Sequence, residues 1–288
     1  MYSCPVTTPS APSDPVLRHV SLPSGRVGYR DEGSGPCLVA AHGIPGSSRD
    51  FRWLAPALTR SLRLVRPDMP GFGGTELDVE PGPSVQARAR FLLRFVDALG
   101  LERPVVLGHS MGGVVAAQAA ALEPGRFAGL ALISSPGLRP HRAFREVQRG
   151  RRLFPLLALR PVARLAGELL RPVYARAGFR GSYSALALSH TLRCVSAIDF
   201  EQHARNVTAA APCLVSFCDD DPLIETDIFL ELSEAAAKGP RLRFATGAHN
   251  PQKAWAEELG ASLCEWTRSL AGASREDSAG RGVLAREG

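Results

Sequence analysis

The run Pro104-Val-Val-Leu-Gly-His-Ser-Met-Gly-Gly113 constrains the fold of this chain more than any other segment. Three apolar residues, Val105 to Leu107, meet Gly108-His109-Ser110-Met111-Gly112, and an alanine-rich helical stretch follows at once, through Leu122. This is the strand–turn–helix setting in which Gly-x-Ser-x-Gly forms a nucleophile elbow. So sharp a turn strains the backbone of its central residue and tolerates only small neighbours, so Gly108 and Gly112 are steric requirements. The Ser110 hydroxyl is then expected above the sheet edge, at the positive end of the following helix. Gly-x-Ser-x-Gly alone is a weak signal in a chain with 28 glycines, and the flanking strand and helix give it its weight.

Segments of alternating character surround this turn. Leu17 to Val20 and Arg26 to Tyr29 flank Pro23-Ser24-Gly25 and predict a hairpin. Residues 37–41, 62–65, 129–133, 213–217 and 241–245 have the composition of short buried strands. Helical spacing marks 51–60, 85–99, 112–122, 225–237 and 252–270. Strands alternating with helices predict an α/β fold, a mostly parallel sheet covered on both faces, with the hairpin adding antiparallel strands at one edge. The stretch between the strands at 129–133 and 213–217 is far longer than an ordinary connection and is expected to form a helical subdomain. Its Leu153, Phe154, Leu156, Leu157, Leu165, Leu169 and Leu170 are expected to supply an apolar face, as a lid over the elbow. The expected organisation is a disordered leader (1–15), a core (16–135 and 206–270), a helical lid (136–205) and a disordered tail (271–288).

Composition narrows the class. The chain is 45% hydrophobic, enough for a large core, and has no uninterrupted apolar stretch of the ~18 residues that suggest a membrane span. The N-terminus lacks the basic and apolar regions of a signal peptide. Cys4, Cys37, Cys194, Cys213, Cys218 and Cys264 show neither Cys-x-x-Cys nor metal-like spacing with histidine, so a reduced, cytoplasmic protein without a bound metal is expected. Of 34 basic residues only Lys238 and Lys253 are lysine, which suggests a GC-rich coding bias. Residues 136–205 hold thirteen arginines and four acids, so the basicity belongs to one segment. That segment lacks the interleaved aromatics of a nucleic-acid module. Arginine- and leucine-rich helices can lie at an anionic membrane surface, although a solvated face accounts for the same residues more simply.

A serine hydroxyl becomes a nucleophile when a base takes its proton and a third group holds that base in the right tautomer. The chain order expected with this elbow is Ser, acid, His. Beyond the elbow, His141, His190 and His203 lie in the long insertion, and only His249 follows the later strands, in a strand-to-helix loop. His249 is therefore the candidate base. The acid is expected just after residues 213–217, where Asp219, Asp220 and Asp221 stand in a row that spacing does not rank. An oxyanion hole needs two backbone N–H groups. One is that of Met111, and the other belongs to the loop after residues 37–41, where Pro45 has none to give.

The segments His42-Gly-Ile-Pro-Gly-Ser47, Asp68-Met-Pro-Gly-Phe-Gly73, Gly108-His-Ser-Met-Gly-Gly113, Asp221-Pro-Leu-Ile224 and Gly247-Ala-His249 together resemble the lid-bearing branch of the α/β-hydrolase fold family. The resemblance implies Asp221 as the acid, with Asp220 its rival, and Ile44 as the second oxyanion donor. It gives His42 a loop-holding role and makes Asp68 and His109 structural. Cys218, Asn250-Pro251 and Thr75 depart from the family pattern without removing a catalytic group. The activity implied is a cofactor-independent serine hydrolase acting on a carboxylic ester of a small hydrophobic substrate. Relatives with aspartate at the elbow are dehalogenases and epoxide hydrolases, and Ser110 argues against both. Alternatives are a C–C bond hydrolase on a diketone and a non-catalytic ligand-binding protein. A prolyl aminopeptidase is disfavoured, because Ile44 breaks its usual His-Gly-Gly-Pro-Gly loop. Arginines of the insertion are candidates to meet a substrate carboxylate.

Overall fold

The computed structural model describes residues 12–79, 82–176, 181, 183–210 and 212–284. The apolar runs of the sequence become the strands of one sheet. They are β1 (Arg18–Leu22), β2 (Gly25–Gly33), β3 (Cys37–Ala41), β4 (Arg63–Pro67), β5 (Val105–His109), β6 (Gly129–Ile133), β7 (Cys213–Cys218) and β8 (Arg241–Phe244). Their order across the sheet is β1-β2-β4-β3-β5-β6-β7-β8. The β1–β2 hairpin and the β2–β4 pair are antiparallel, and every other pairing is parallel. This is the mostly parallel sheet with an antiparallel edge that the sequence predicts.

The helices are α1 (Ala55–Leu58), α2 (Val85–Ala98), α3 (Met111–Leu122), α4 (Arg142–Gln148), α5 (Arg160–Arg176), α6 (Ala185–Ser196), α7 (Phe200–Thr208), α8 (Thr226–Ala235), α9 (Pro251–Ala254) and α10 (Ala256–Leu284). A parallel sheet covered on both faces is apolar at successive positions, because alternate side chains enter different cores. Val39 and Ala41 of β3 join Val106 of β5 in one core, closed by α2, α3 and α8. Leu38, Ala40, Val105 and Leu107 enter the other, closed by α1 and α10. The strand β5 therefore runs through the middle of the sheet with both faces packed, and its C-terminal end carries the Ser110 turn.

Three local expectations change. The helix expected over 51–60 is a 3-10 turn (Ser48–Phe51) followed by the short α1. Pro56 lacks an N–H, so it sits at the start of a helix rather than inside one. At the other terminus α10 continues past Leu270 to Leu284, with no proline to stop it, and residues 285–288 lie outside the described residues. Residues 1–11 of the expected leader also lie outside them. The last part of that leader is anchored, since Asp14 pairs with the fully buried Arg66 at 3.1 Å and with Arg49 at 3.1 Å. Arg66 is also paired with Glu32.

Candidate active site

The segment after β5 bends sharply. Ser110 has φ +53° and ψ −127°, a conformation that a residue with a side chain adopts only when its surroundings enforce it. Those surroundings are its own N–H, which donates to Ile133 O on β6 at 2.9 Å, and its carbonyl, which accepts from Gly113 N at 2.8 Å. A Cβ on Gly108 would come within 2.3 Å of Gly112 O, and one on Gly112 within 2.2 Å of Ala41 O. Both contacts are with backbone, so no side-chain movement relieves them.

His249 follows an equally constrained loop, in which Gly247 (φ +138°) and Ala248 (φ +51°) both take left-handed values. The three consecutive carboxylates after β7 divide the work. Asp219 turns outward to Arg243 at 2.9 Å. Asp220 accepts from Ala248 N at 2.7 Å and from Gly247 N at 3.2 Å, holding the strained loop. Asp221 meets His249 Nδ1 at 2.6 Å through Oδ2, while its Oδ1 accepts the Leu223 and Ile224 amides at 2.8 and 3.1 Å. Burial pushes the Asp221 carboxyl upward, but the His249 hydrogen bond and charge and the two amides outweigh it and keep it below its usual range. A carboxylate on Nδ1 assigns the proton to that nitrogen and leaves Nε2 as the acceptor. His249 Nε2 is buried and has no protein partner among the described residues.

Ser110 and His249 line one pocket, of about 120 Å³, with Ile44 and Met111. Neither the Ile44 nor the Met111 N–H donates to a protein acceptor among the described residues. His42 and His109 are committed elsewhere. His42 donates from Nδ1 to Gly43 O (2.6 Å) and accepts at Nε2 from Met69 N (2.8 Å), so neither nitrogen is free to move a proton, and burial pushes it down to about 4. His109 donates from Nε2 to the carbonyl of His249 at 2.8 Å and thereby ties the elbow to the loop that carries His249. Burial, then repulsion from His249, holds it at about 3. Asp68 accepts from Ser48 N (2.7 Å) and Gly74 N (2.8 Å), a structural position.

Residues 36–177 match the family model for the alpha/beta hydrolase fold. A thermophilic esterase from Thermogutta terrifontis superposes with a TM-score of 0.71, covering 89% of this chain and 99% of its own, at 19% identity. The chain belongs to the α/β-hydrolase fold family. Among curated relatives, haloalkane dehalogenase 2 of Mycobacterium bovis is 37% identical over 108 residues, 38% of each chain. Bifunctional epoxide hydrolase 2 of Mus musculus is 32% identical over 143 residues, 47% of this chain and 25% of that protein. The chain thus aligns with well under half the length of these relatives.

In this α/β-hydrolase chain the insertion residues that line the pocket differ from those the sequence predicts. The pocket wall comes from Ala143 and Val147 of α4, Tyr174 of α5, Thr191, Leu192 and Val195 of α6, and Ile198. The leucines expected there point elsewhere. Leu157 is buried, but Leu153, Leu156, Leu165 and Leu169 are exposed and none lines the pocket. The reason is that α5 packs through Ala163 and Gly167, with Leu170 half-buried, which leaves Leu165 and Leu169 outside. The arginines proposed to meet a substrate carboxylate do not line the pocket either. His141, which the sequence places in the insertion, lines the pocket with His249, and burial holds it at about 4. The apolar repeat Leu188, Leu192 and Val195 on α6 was the legible signal for this wall.

Proposed function

We propose that this protein is a serine hydrolase that cleaves a carboxylic ester of a small hydrophobic acid through an acyl-enzyme on Ser110. One observation carries the reading: a strained, partly accessible serine shares a pocket with a histidine whose Nδ1 is held by a buried carboxylate at 2.6 Å. Ser110 Oγ attacks the carbonyl carbon while His249 Nε2 takes its proton. The Ile44 and Met111 amides receive the charge that develops on the carbonyl oxygen. Collapse of the tetrahedral species expels the alcohol with the proton from His249, and a water activated by the same nitrogen releases the acid.

The dehalogenase and epoxide hydrolase similarities favour this chemistry less than they favour the fold. An alkyl group displaced onto a carboxylate forms an ester that water can attack at its carbonyl. The same displacement by a serine hydroxyl leaves an ether with no carbonyl, so turnover stops. The pocket sets the substrate size. At about 120 Å³ it is smaller than the ~150 Å³ cavities that take up benzene, which favours short acyl chains.

The test is fluorophosphonate labelling of wild type beside Ser110→Ala, with p-nitrophenyl esters of graded acyl length assayed in parallel. Labelling is expected in wild type alone, with ester turnover greatest for short chains and reduced at least ~10⁴-fold in the variant. An unlabelled wild type would overturn the activated serine. Labelling without ester turnover would overturn the ester assignment and favour the C–C hydrolase reading.

A further inference from the structure

Nine large apolar side chains are exposed in the described part of the chain, and seven of them lie between Leu153 and Val173. Scattered exposed apolar residues are ordinary, but a contiguous row of this kind marks a surface that is covered in use. On α5 the row is Val162, Leu165, Leu169 and Val173, spaced 3-4-4, which is one helical face. It is not the face that packs on the protein. That face is Ala163 and Gly167, and a Cβ on Gly167 would meet Ala185 O of α6 at 1.9 Å. The helix therefore has two apolar faces, one turned inward, where these small residues sit beside the half-buried Leu170 and Tyr174, the other of leucine and valine turned to solvent. Leu153, Leu156 and Leu159, exposed at 65, 50 and 57%, extend the outer face through the preceding 3-10 turns, Arg151–Ala158.

Arginines border this face. Arg171 is paired with Glu168 and Arg160 with Asp78. Arg151, Arg152, Arg164 and Arg176 are exposed and form no ion pair or side-chain hydrogen bond among the described residues. Unpaired guanidinium groups beside exposed leucines are the arrangement of a helix lying in a membrane interface, with the long arginine stems along the apolar surface and their heads at phosphate level. A second copy of this chain fits the face poorly, because a symmetric contact would set the same unpaired arginines against each other. We infer that the outer face of α5 and of the 3-10 turns before it docks on an anionic phospholipid surface. Solvation of a basic face, which suffices for the sequence, leaves the outward leucines without a role.

This docking is independent of the ester chemistry, and its test does not use turnover. The full chain is sedimented with phosphatidylcholine vesicles, with and without phosphatidylglycerol, at low and high salt. The L165S/L169S and R151Q/R152Q/R164Q variants are treated alike, with circular dichroism and melting confirming that each is folded. Wild type is expected to pellet with phosphatidylglycerol vesicles and to be released by salt. The serine pair is expected to lose binding, and the glutamine triple to lose roughly a hundredfold in affinity, about fivefold per arginine. Absence of pelleting in wild type, or pelleting unchanged in both variants, would overturn the inference. So would a dimer in size-exclusion chromatography that the serine pair abolishes while vesicles bind nothing, since a second copy would then cover the face.

Discussion

Residue by residue, the three adjacent aspartates after β7 have three different duties, and the chain order alone does not distribute them. Only Asp221 has both oxygens turned inward, one on His249 Nδ1 and one on the amides that follow it. Replacing it by asparagine removes the charge that stabilises a protonated His249 and permits the wrong tautomer. Asp221→Asn is expected to lower kcat ~10³–10⁴-fold with little change in KM. Asp220→Ala removes the acceptor of two loop amides at an exposed site, so it is expected to destabilise the fold by ~1 kcal/mol and to cost activity far less. Steady-state kinetics and urea midpoints on the pair separate the two roles, and equal activity losses would assign the acid wrongly. The resemblance to relatives singles out Asp221 because proline follows it, whereas the physical reason appears only when the strained loop is folded over the carboxylates.

Among the elements, the turns and contacts made by glycine set the architecture around the pocket. Gly108→Ala and Gly112→Ala would each push a Cβ against backbone within 2.3 Å, and each is expected to lose more than ~3 kcal/mol, read as a lowered urea midpoint. This part was legible in the sequence, since the elbow is local: an apolar run, two small residues and a helix former in order. Gly167 was legible only in part. A glycine inside a helix costs ~1 kcal/mol relative to alanine, so its presence hints at close packing but does not say against what. The partner is the carbonyl of Ala185, at 1.9 Å from the ideal Cβ. Gly167→Ala is accordingly expected to lift α5 from α6, lower Tm by several degrees and raise KM, because Tyr174 on the same helix lines the pocket. An unchanged Tm would show that α5 and α6 are not held by that seam.

For the molecule as a whole, burial of histidine sets the response to acid. His42, His141 and His203 are held at about 4 and His109 and His190 at about 3, in each case chiefly by burial, against 6.5 in the unfolded chain. Below 6.5 the unfolded chain binds more protons than the folded one, so these groups remove stability as pH falls from 6.5 toward 4. Asp50 acts in the opposite sense. Burial raises its carboxyl to about 7, so the folded chain keeps a proton that the unfolded chain releases above 3.8. With five groups against one, the urea midpoint is expected to fall as pH drops from 7 toward 4, with uptake of more than one proton on unfolding. A midpoint that is flat or rises over that window would show that these histidines are not neutral in the fold.

The sequence by itself determined what depends on neighbours along the chain. Apolar runs broken by glycine and proline specify the strands β3 and β6 to the residue, and the Gly108–Gly112 spacing specifies the elbow. The order Ser110, aspartate cluster, His249 follows from the same one-dimensional information. Only the tertiary structure decided which aspartate turns inward, which ring nitrogens remain free, and that α4 and α6 rather than the leucines of α5 wall the pocket. The physical reason for the last is that a leucine buried beneath a helix and one exposed on its far side have the same local sequence signature. What separates them is the surface that packs against that helix, here the backbone of α6 meeting Gly167, and residues far apart in the chain supply it.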